Sequence, residues 1–463
     1  MEFVPQSCGS GAWGRRPDMT NRDERIQHYL DHMCVQVKAR EVHNDLRDEL
    51  GNHMEEIILD KEQEGYTEEE AIAYAIEQMG DPAVVGKSMH RLHRHRMHWG
   101  LLTGLSSLLI ISLLLTWIYT TNISVETFQF LYKSHLIYTI FGLVLMVFLI
   151  YFDYRKWKKA AWWIYILLSG MLWINPLVSP FDYGVQRFWS IFGLTIDLTT
   201  ISMWVLPLAI GAIMLDKLRT KCDVQSISTY ILLVALPSFS LLQASDWVRL
   251  FPFGTATIIL FAWITRKWLY TFVGAAIAGL VTMMQLFLSG EYRRFERLTA
   301  VFNPQNDPLG HGSYNQSIMS ILHSAGWRGN GFDTSFDHFK GFYMDYPGVM
   351  LIDVFGWLAG IVLLLGIVWF LASMLKMLPR VLDEFGRMIV FSITMMFVLQ
   401  MLYSLAMTTG KVPIVSVTFP FIGFGSHLIL EYAMMGLLLG VYRRKDTISL
   451  RSQPRQPIRT LSK

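Results

Sequence analysis

Charge is scarce in this chain: only 17% of its 463 residues are Asp, Glu, Lys or Arg, against roughly 25% in a soluble domain. That shortage excludes an ordinary soluble enzyme, and it is unevenly spread. Residues 1–98 hold 19 acidic and 12 basic residues, whereas residues 99–463 hold 18 acidic and 28 basic. The positive excess lies between apolar runs rather than along one face, which excludes a nucleic-acid partner. Cysteine is scarce too. Cys8, Cys34 and Cys222 are odd in number and lack metal-ligand spacing, so they imply no disulfide framework. Residues 1–18, with Arg15, Arg16 and Pro17, have no apolar core of the kind a cleavable signal peptide requires. What remains is hydrophobic: 52% of the residues are apolar and 14% aromatic. The composition is that of a membrane protein with a hydrophilic N-terminal appendage.

After a tail at residues 1–20, residues 21–98 read as a small helical domain. Val42, Leu46, Leu50, Met54, Ile57 and Ile58 recur at helical spacing until Gly65. Thr67 and Glu70 have capping-box spacing, Ala71, Ile72, Ala75, Ile76 and Met79 form the next apolar stripe, and Gly80 closes it. Asp81 and Pro82 suit the cap and first turn of a further helix. The stretch from Arg47 to Pro82 resembles the short helical prefix domain that precedes some bacterial membrane proteins, permeases among them. That resemblance implies a regulatory or docking part with a cytoplasmic partner of unknown identity. His90, His93, His95 and His98 alternate with Arg91, Arg94 and Arg96, a pattern read as a basic collar at the membrane surface rather than a metal site.

Ten apolar segments follow, near residues 99–118, 134–152, 160–176, 198–215, 226–242, 252–265, 268–288, 348–374, 388–409 and 420–441. Several are uncharged for about 20 residues, enough to cross the hydrocarbon core as helices. One set of alternate loops carries Arg155, Lys156, Lys158 and Lys159, then Lys217, Arg219 and Lys221, then Arg266 and Lys267, then Lys376, Arg380 and Arg387, then Arg443, Arg444 and Lys445. The short loops of the other set carry Lys133, Arg187, Arg249 and Lys411, one each. The expected fold class is therefore all-α: a ten-span polytopic membrane domain over residues 99–445, with both termini, including the basic tail 446–463, in the cytoplasm. Residues 289–347 form a long external loop, whose Gly, Pro and aromatic content points to an ordered structure.

Arg293, Arg294 and Arg297 lie just beyond the seventh segment, at headgroup depth, where guanidinium groups can clamp a diphosphate. Asp345 stands shortly before the eighth segment, where a carboxylate can act as a general base or hold a cation. Glu431 is a charge inside the last segment, readable as a site residue or as a buried structural carboxyl.

The stretch Tyr292 to Leu298, with Phe302-Asn303-Pro304, Asp307-Pro308-Leu309-Gly310, Gly312, Tyr314, Gln316-Ser317 and Gly326-Trp327-Arg328-Gly329-Asn330-Gly331, resembles the large extracellular loop of the SEDS family of FtsW, RodA and SpoVE proteins. Gln400, Gly410, Pro413 and Pro420-Phe421-Ile422 stand at the spacing of further family motifs, and Gly184 to Trp189 and Leu242 to Asp246 are weaker echoes. The resemblance implies a peptidoglycan glycosyltransferase that polymerises lipid II beside a class B penicillin-binding protein. It places Asp345 on the family's essential carboxylate, as base or as ligand of a divalent cation such as Mg or Mn. It makes Arg293, Arg294, Arg297, Gln316, Ser317, Gln400, Pro420 and Phe421 substrate-binding candidates, and extends to Arg187, Trp189, Asp353 and Glu431. Several motifs are altered, since Tyr343, Met344 and Tyr346 replace the family's residues around Asp345, and Asp197-Leu198-Thr199-Thr200 replaces its Gln-Pro-Ser-Glu. A carrier or flippase of lipid-linked saccharide and a noncatalytic regulator are the rival functions.

Overall fold

The computed structural model describes residues 21–94, 96–122, 126–179, 188–191, 194–244, 246–269, isolated positions from 271 to 284, then 311–331, 346–412, 417–423 and 425–446. These fall into two compact units: residues up to Met97 together with those from Arg443 onward, and His98–Tyr442.

The first unit is a bundle of four short helices, α1 (Asn21–Val35), α2 (His43–Gln63), α3 (Glu68–Met79) and α4 (Pro82–Leu92). Its apolar stripes meet in one core around Leu30, Met33, Met54, Ile58, Ala71 and Ala75. The capping box is formed: the Thr67 hydroxyl receives the Glu70 N–H, and the Glu70 carboxylate accepts the Thr67 N–H at 3.0 Å. Those bonds satisfy donors that the first turn of α3 leaves open. Asp81 caps α4 by accepting the Ala83 N–H at 2.8 Å. Tyr29 ties α1 to the end of α3 through its hydroxyl, which donates to the Gly80 carbonyl at 3.0 Å. Burial raises the Tyr29 phenol above its ordinary pKa, with Asp81 adding to the effect.

The second unit contains α5 (Trp99–Asn122), α6 (Glu126–Tyr151), α7 (Arg155–Val178), α8 (Leu198–Thr220), α9 (Val224–Gln243), α10 (Trp247–Thr265), α11 (His311–Ser324), α12 (Pro347–Phe355), α13 (Trp357–Leu375), α14 (Glu384–Thr408) and α15 (His427–Arg443). Eight of them, α5 to α10, α13 and α14, are long and apolar enough to cross a membrane, so the chain is a multi-pass membrane protein. The central one is α8, with 89% of its apolar window buried in the protein, whereas α6, α7, α9 and α13 bury only 28% of theirs. Helix α15 has 17 residues and lines the core along most of its length. Most of the seventh expected span, 268–288, lies outside the described residues.

Two details depart from the expected pattern. The eighth segment is not one continuous helix, because Gly356, at φ 82°, breaks it into α12 and α13. A Cβ at Gly356 would lie 2.3 Å from the Trp327 carbonyl oxygen, and one at Gly329 would lie 2.3 Å from that of Val354. The two backbones touch there, which only glycine allows on both sides. The second departure is a two-stranded antiparallel hairpin, β1 (Phe188–Ile191) and β2 (Leu194–Asp197), with Phe188 opposite Asp197.

The last helix packs through small residues. A Cβ at Gly436 would come within 2.5 Å of the Met146 carbonyl oxygen, and one at Gly440 within 2.8 Å of that of Leu149. The backbones of α15 and α6 thus approach closely, in the manner of small-xxx-small contacts between membrane helices.

Candidate functional site

Buried charged side chains of the membrane unit meet at the starts of α8 and α10. Asp197 ends β2 and caps α8, accepting the Thr200 N–H at 3.0 Å. Asp246 caps α10 by accepting the Arg249 N–H at 3.3 Å. Each carboxylate therefore starts a helix, and both then face one guanidinium. Arg249 Nη2 is 3.5 Å from Asp197 Oδ2, and Nη1 is 3.6 Å from Asp246 Oδ1. The Thr200 hydroxyl donates to Asp197 Oδ2 at 2.8 Å and accepts from Arg249 Nε at 3.3 Å. Thr199 Oγ1 lies 2.9 Å from Asp197 Oδ1 and 2.7 Å from Asp246 Oδ2, so its single proton serves one of them at a time. Asp246 is 0% and Arg249 9% exposed. Buried charges persist only when paired and hydrogen-bonded, and this network meets that condition. It locks the starts of α8 and α10 together.

A second group holds the 417–423 segment. Glu431, 1% exposed, accepts the Phe421 N–H at 2.7 Å and a Gln400 Nε2 hydrogen at 3.2 Å. Gln400 also donates to the Thr418 carbonyl at 3.0 Å, and Ser404 Oγ donates to the same oxygen at 3.3 Å. From the other side, Ser112 Oγ donates to the Ile422 carbonyl at 3.3 Å, leaving His135 Nε2 to donate to Ser112 at 3.1 Å. Phe421 has φ 63°, a costly conformation for a bulky residue. Its N–H bond to Glu431 and its ring contacts with Phe397 at 5.1 Å and Tyr432 at 5.4 Å hold it there. His427 lies within electrostatic range of Asp197, Arg249 and His135, so the two groups face a common region.

A third group ties the end of the long loop to α12. Asn330 donates through its side chain to Asp353 Oδ1 at 2.8 Å and through its backbone to the Asp353 carbonyl at 2.7 Å. Gly331 N donates to Val354, Trp357 N to Gly326, and Trp357 Nε1 to Leu322. The Gly326 to Gly331 motif is therefore a backbone clasp on α12 and α13. Gly348 in α12 lies against Thr408 of α14, where a Cβ would be 2.6 Å from Cγ2.

Among the expected site residues, Asp345, Arg293, Arg294, Arg297 and Arg187 lie outside the described residues. Asp345 directly precedes Tyr346, which is 2% exposed and caps α12. Gln316 is exposed and Ser317 half-buried on α11. Phe421 is 0% exposed, Pro420 is buried, and Gln400 Nε2 donates to the Thr418 carbonyl and to Glu431. Asp353 is buried in the clasp, and Glu431 acts as an acceptor for the 417–423 backbone. Trp189 donates from Nε1 to Asn175 Oδ1 at 2.8 Å, pinning the hairpin to α7. Among the described residues, no group of three or more His, Cys, Asp or Glu is placed to hold a metal ion.

Sequence reasoning passed over Arg249, His135 and His427. Arg249 read as one more loop charge, although the Asp246 to Arg249 spacing at the start of an apolar run marks a cap with a cation on the same face.

Known proteins with this architecture are recognisable at low identity. Stage V sporulation protein E of Bacillus subtilis is 23% identical over 323 residues, covering 68% of this chain and 87% of that protein. The peptidoglycan glycosyltransferase MrdB of Escherichia coli K12 is 23% identical over 321 residues, covering 66% and 84%. A probable peptidoglycan glycosyltransferase FtsW of Geobacter metallireducens is 28% identical over 335 residues, covering 69% and 86%. In fold, the chain matches a member of a peptidoglycan synthase complex that coordinates polymerisation and crosslinking, with TM-score 0.63 at 19% identity over 75% of this chain and 98% of that one. It also matches the rod shape determining protein RodA of Thermus thermophilus, with TM-score 0.55 at 15% identity over 75% and 97%. The cell cycle protein model for FtsW, RodA and SpoVE matches residues 95–447, which takes in the whole membrane unit, and the chain belongs to that family.

Proposed function

We propose that this protein is a peptidoglycan glycosyltransferase that polymerises lipid II at the outer face of the cytoplasmic membrane, in division, shape maintenance or sporulation. The observation that carries this reading is the family match over residues 95–447, with relatives named as glycosyltransferases aligned over more than four-fifths of their own length. The distribution of Lys and Arg supports ten spans with both termini in the cytoplasm, which puts the Asp197–Asp246–Arg249 lock and the 417–423 segment on the outer side.

In the reaction, Asp345 removes a proton from the acceptor sugar hydroxyl as that oxygen attacks the anomeric carbon of the donor, and the bond to the lipid diphosphate breaks. One base suffices for direct, inverting transfer. Asp345 stands two residues before the nine-residue helix α12 in the sequence. Arg293, Arg294 and Arg297 stabilise the diphosphate as its charge develops. Gln316 and Ser317 on α11 are available to the saccharide. The described polar groups serve as the frame: the Arg249 lock fixes α8 and α10, Glu431 fixes the 417–423 segment, and the Asn330–Asp353 clasp fixes the end of the loop against the helix that follows Asp345.

A class B penicillin-binding protein is the proposed membrane partner, in keeping with the fold match to a member of a synthase complex. The helical domain at residues 21–98 has a cytoplasmic partner of its own. The test is reconstitution in liposomes with purified lipid II, alone and with a transpeptidase. Glycan chains are the expected product. Translocation without polymerisation would make the protein a carrier, and neither activity would make it a noncatalytic regulator.

A further inference from the structure

The N-terminal domain is electrostatically split. Residues 21–81 carry 17 acidic and 6 basic residues, whereas residues 82–98 carry Lys87, Arg91, Arg94 and Arg96, four histidines and no acid. Helix α4 begins the basic part, and its two faces differ. One face packs inward: a Cβ at Gly86 would lie 2.5 Å from the Met33 carbonyl oxygen, and Val85 and Met89 lean on the domain core. The other face, Val84, Lys87, Ser88, Arg91 and Leu92 at three- and four-residue steps, is exposed, with Val84 at 63% and Leu92 at 64%. An exposed stripe combining apolar side chains with lysine and arginine has the composition of helices that lie in a membrane interface.

One covalent and one non-covalent connection tie the end of this helix to the ends of α5 and α15. Leu92 is seven residues from Trp99, where α5 begins, a reach of at most about 25 Å even when fully extended. The end of the domain is also fastened to the far end of the chain. His93 Nδ1 donates to the Asp446 carbonyl at 3.0 Å, and Arg96 Nε lies 3.3 Å from Asp446 Oδ2. Asp446 follows the end of α15 by three residues. His93 and Arg96 are thus held within a few residues of the ends of α5 and α15.

We infer that the outer face of α4 and the adjoining Arg94 form a docking surface for anionic lipid headgroups, with Val84 and Leu92 dipping into the interface and Lys87, Arg91 and Arg94 meeting phosphates. The same docking turns the acidic part of the domain, α1 to α3, away from the negatively charged leaflet and toward the aqueous side, where a partner can reach it. Each basic residue beside an anionic surface strengthens association about fivefold, so three of them make lipid charge the controlling variable. The inference rests on α5 and α15 being membrane helices and is independent of the glycosyltransferase reading.

The experiment uses the full-length protein in nanodiscs. Cys8→Ser and Cys222→Ser leave buried Cys34, and Leu92→Cys receives an environment-sensitive fluorophore. In discs containing phosphatidylglycerol the label is expected to be blue-shifted and shielded from an aqueous quencher. In pure phosphatidylcholine discs, or at 0.5 M salt, it is expected to be exposed, as it is in Lys87→Glu/Arg91→Glu with either lipid. Equal emission in both lipids overturns the inference, whether the label is exposed throughout or shielded throughout by a protein contact. The lipid and salt comparisons need no charge variant, so a misfolded double mutant leaves the test intact.

Discussion

Replacing Arg249 by leucine removes the guanidinium while leaving both carboxylates where their capping roles put them. At N–O distances of 3.5 and 3.6 Å, each pair contributes about 4.6 kcal/mol of Coulomb attraction at an effective dielectric near 20, before desolvation is counted. Desolvation cancels most of that gain in the intact network, but it does not vanish when one partner is deleted. The loss for breaking a buried pair is about 3–5 kcal/mol, because an uncompensated charge is left behind. Asp197 keeps two hydrogen bonds from Thr200 and Asp246 keeps its own cap, while the two carboxylates share the one Thr199 hydroxyl proton. Adding Asp246→Asn should therefore recover much of the stability lost in Arg249→Leu. The assay is denaturant or thermal unfolding of the purified protein in detergent, with glycan synthesis measured at a permissive temperature. A single mutant as stable as the parent, or a double mutant no better than the single, would refute the locking role.

Glu431→Gln retains one acceptor but turns an amide donor toward either the Phe421 N–H or the Gln400 amide, and should cost about 1–3 kcal/mol in the same unfolding assay. An unchanged midpoint would show that the 417–423 segment does not depend on that carboxylate. Gly436→Val should destabilise by about 1–3 kcal/mol, since its Cβ would meet backbone rather than a movable side chain; Gly254→Ala, with open space around it, is the control and should be tolerated. In the N-terminal domain, bonds from Thr67 hold the Glu70 carboxyl below its ordinary value of 4.5. The resulting stabilisation is present above that value and is lost as pH falls through the lower folded-state value. Hydrogen-exchange protection at the start of α3, corrected for intrinsic rates, should weaken on acidification in the parent and show no such step in Glu70→Ala.

Much of the membrane architecture is legible in the chain because apolar runs of span length and capping residues are local signals. The Thr67–Glu70 box and the Asp81-Pro82 start of α4 appear where three or four adjacent residues specify them. The break at Gly356 is not legible in that way, since apolar residues continue on both sides and the cause is contact with Trp327 and Gly329 in the preceding loop. The Arg249 network joins Asp197 and Thr200 to residues about fifty positions away, and each member alone reads as a helix cap or a loop charge. Glu431 stands out as an intramembrane carboxylate, yet its role depends on the Phe421 N–H and Gln400, which no spacing announces. His135 and His427 carry no local pattern at all. Family motifs single out Asp345 and the loop arginines by their place in the sequence, whereas the burial of Pro420 and Phe421 shows only in the folded chain.

The proposed chemistry depends on Asp345, and the direct measurement is glycan formation from purified lipid II by the parent protein and by Asp345→Asn, at matched expression and unfolding midpoint. The parent should produce a ladder of polymer, and the asparagine variant, unable to take the proton, should produce none while retaining the parent's stability. A variant that polymerises at the parental rate would contradict the assignment of Asp345 as the base.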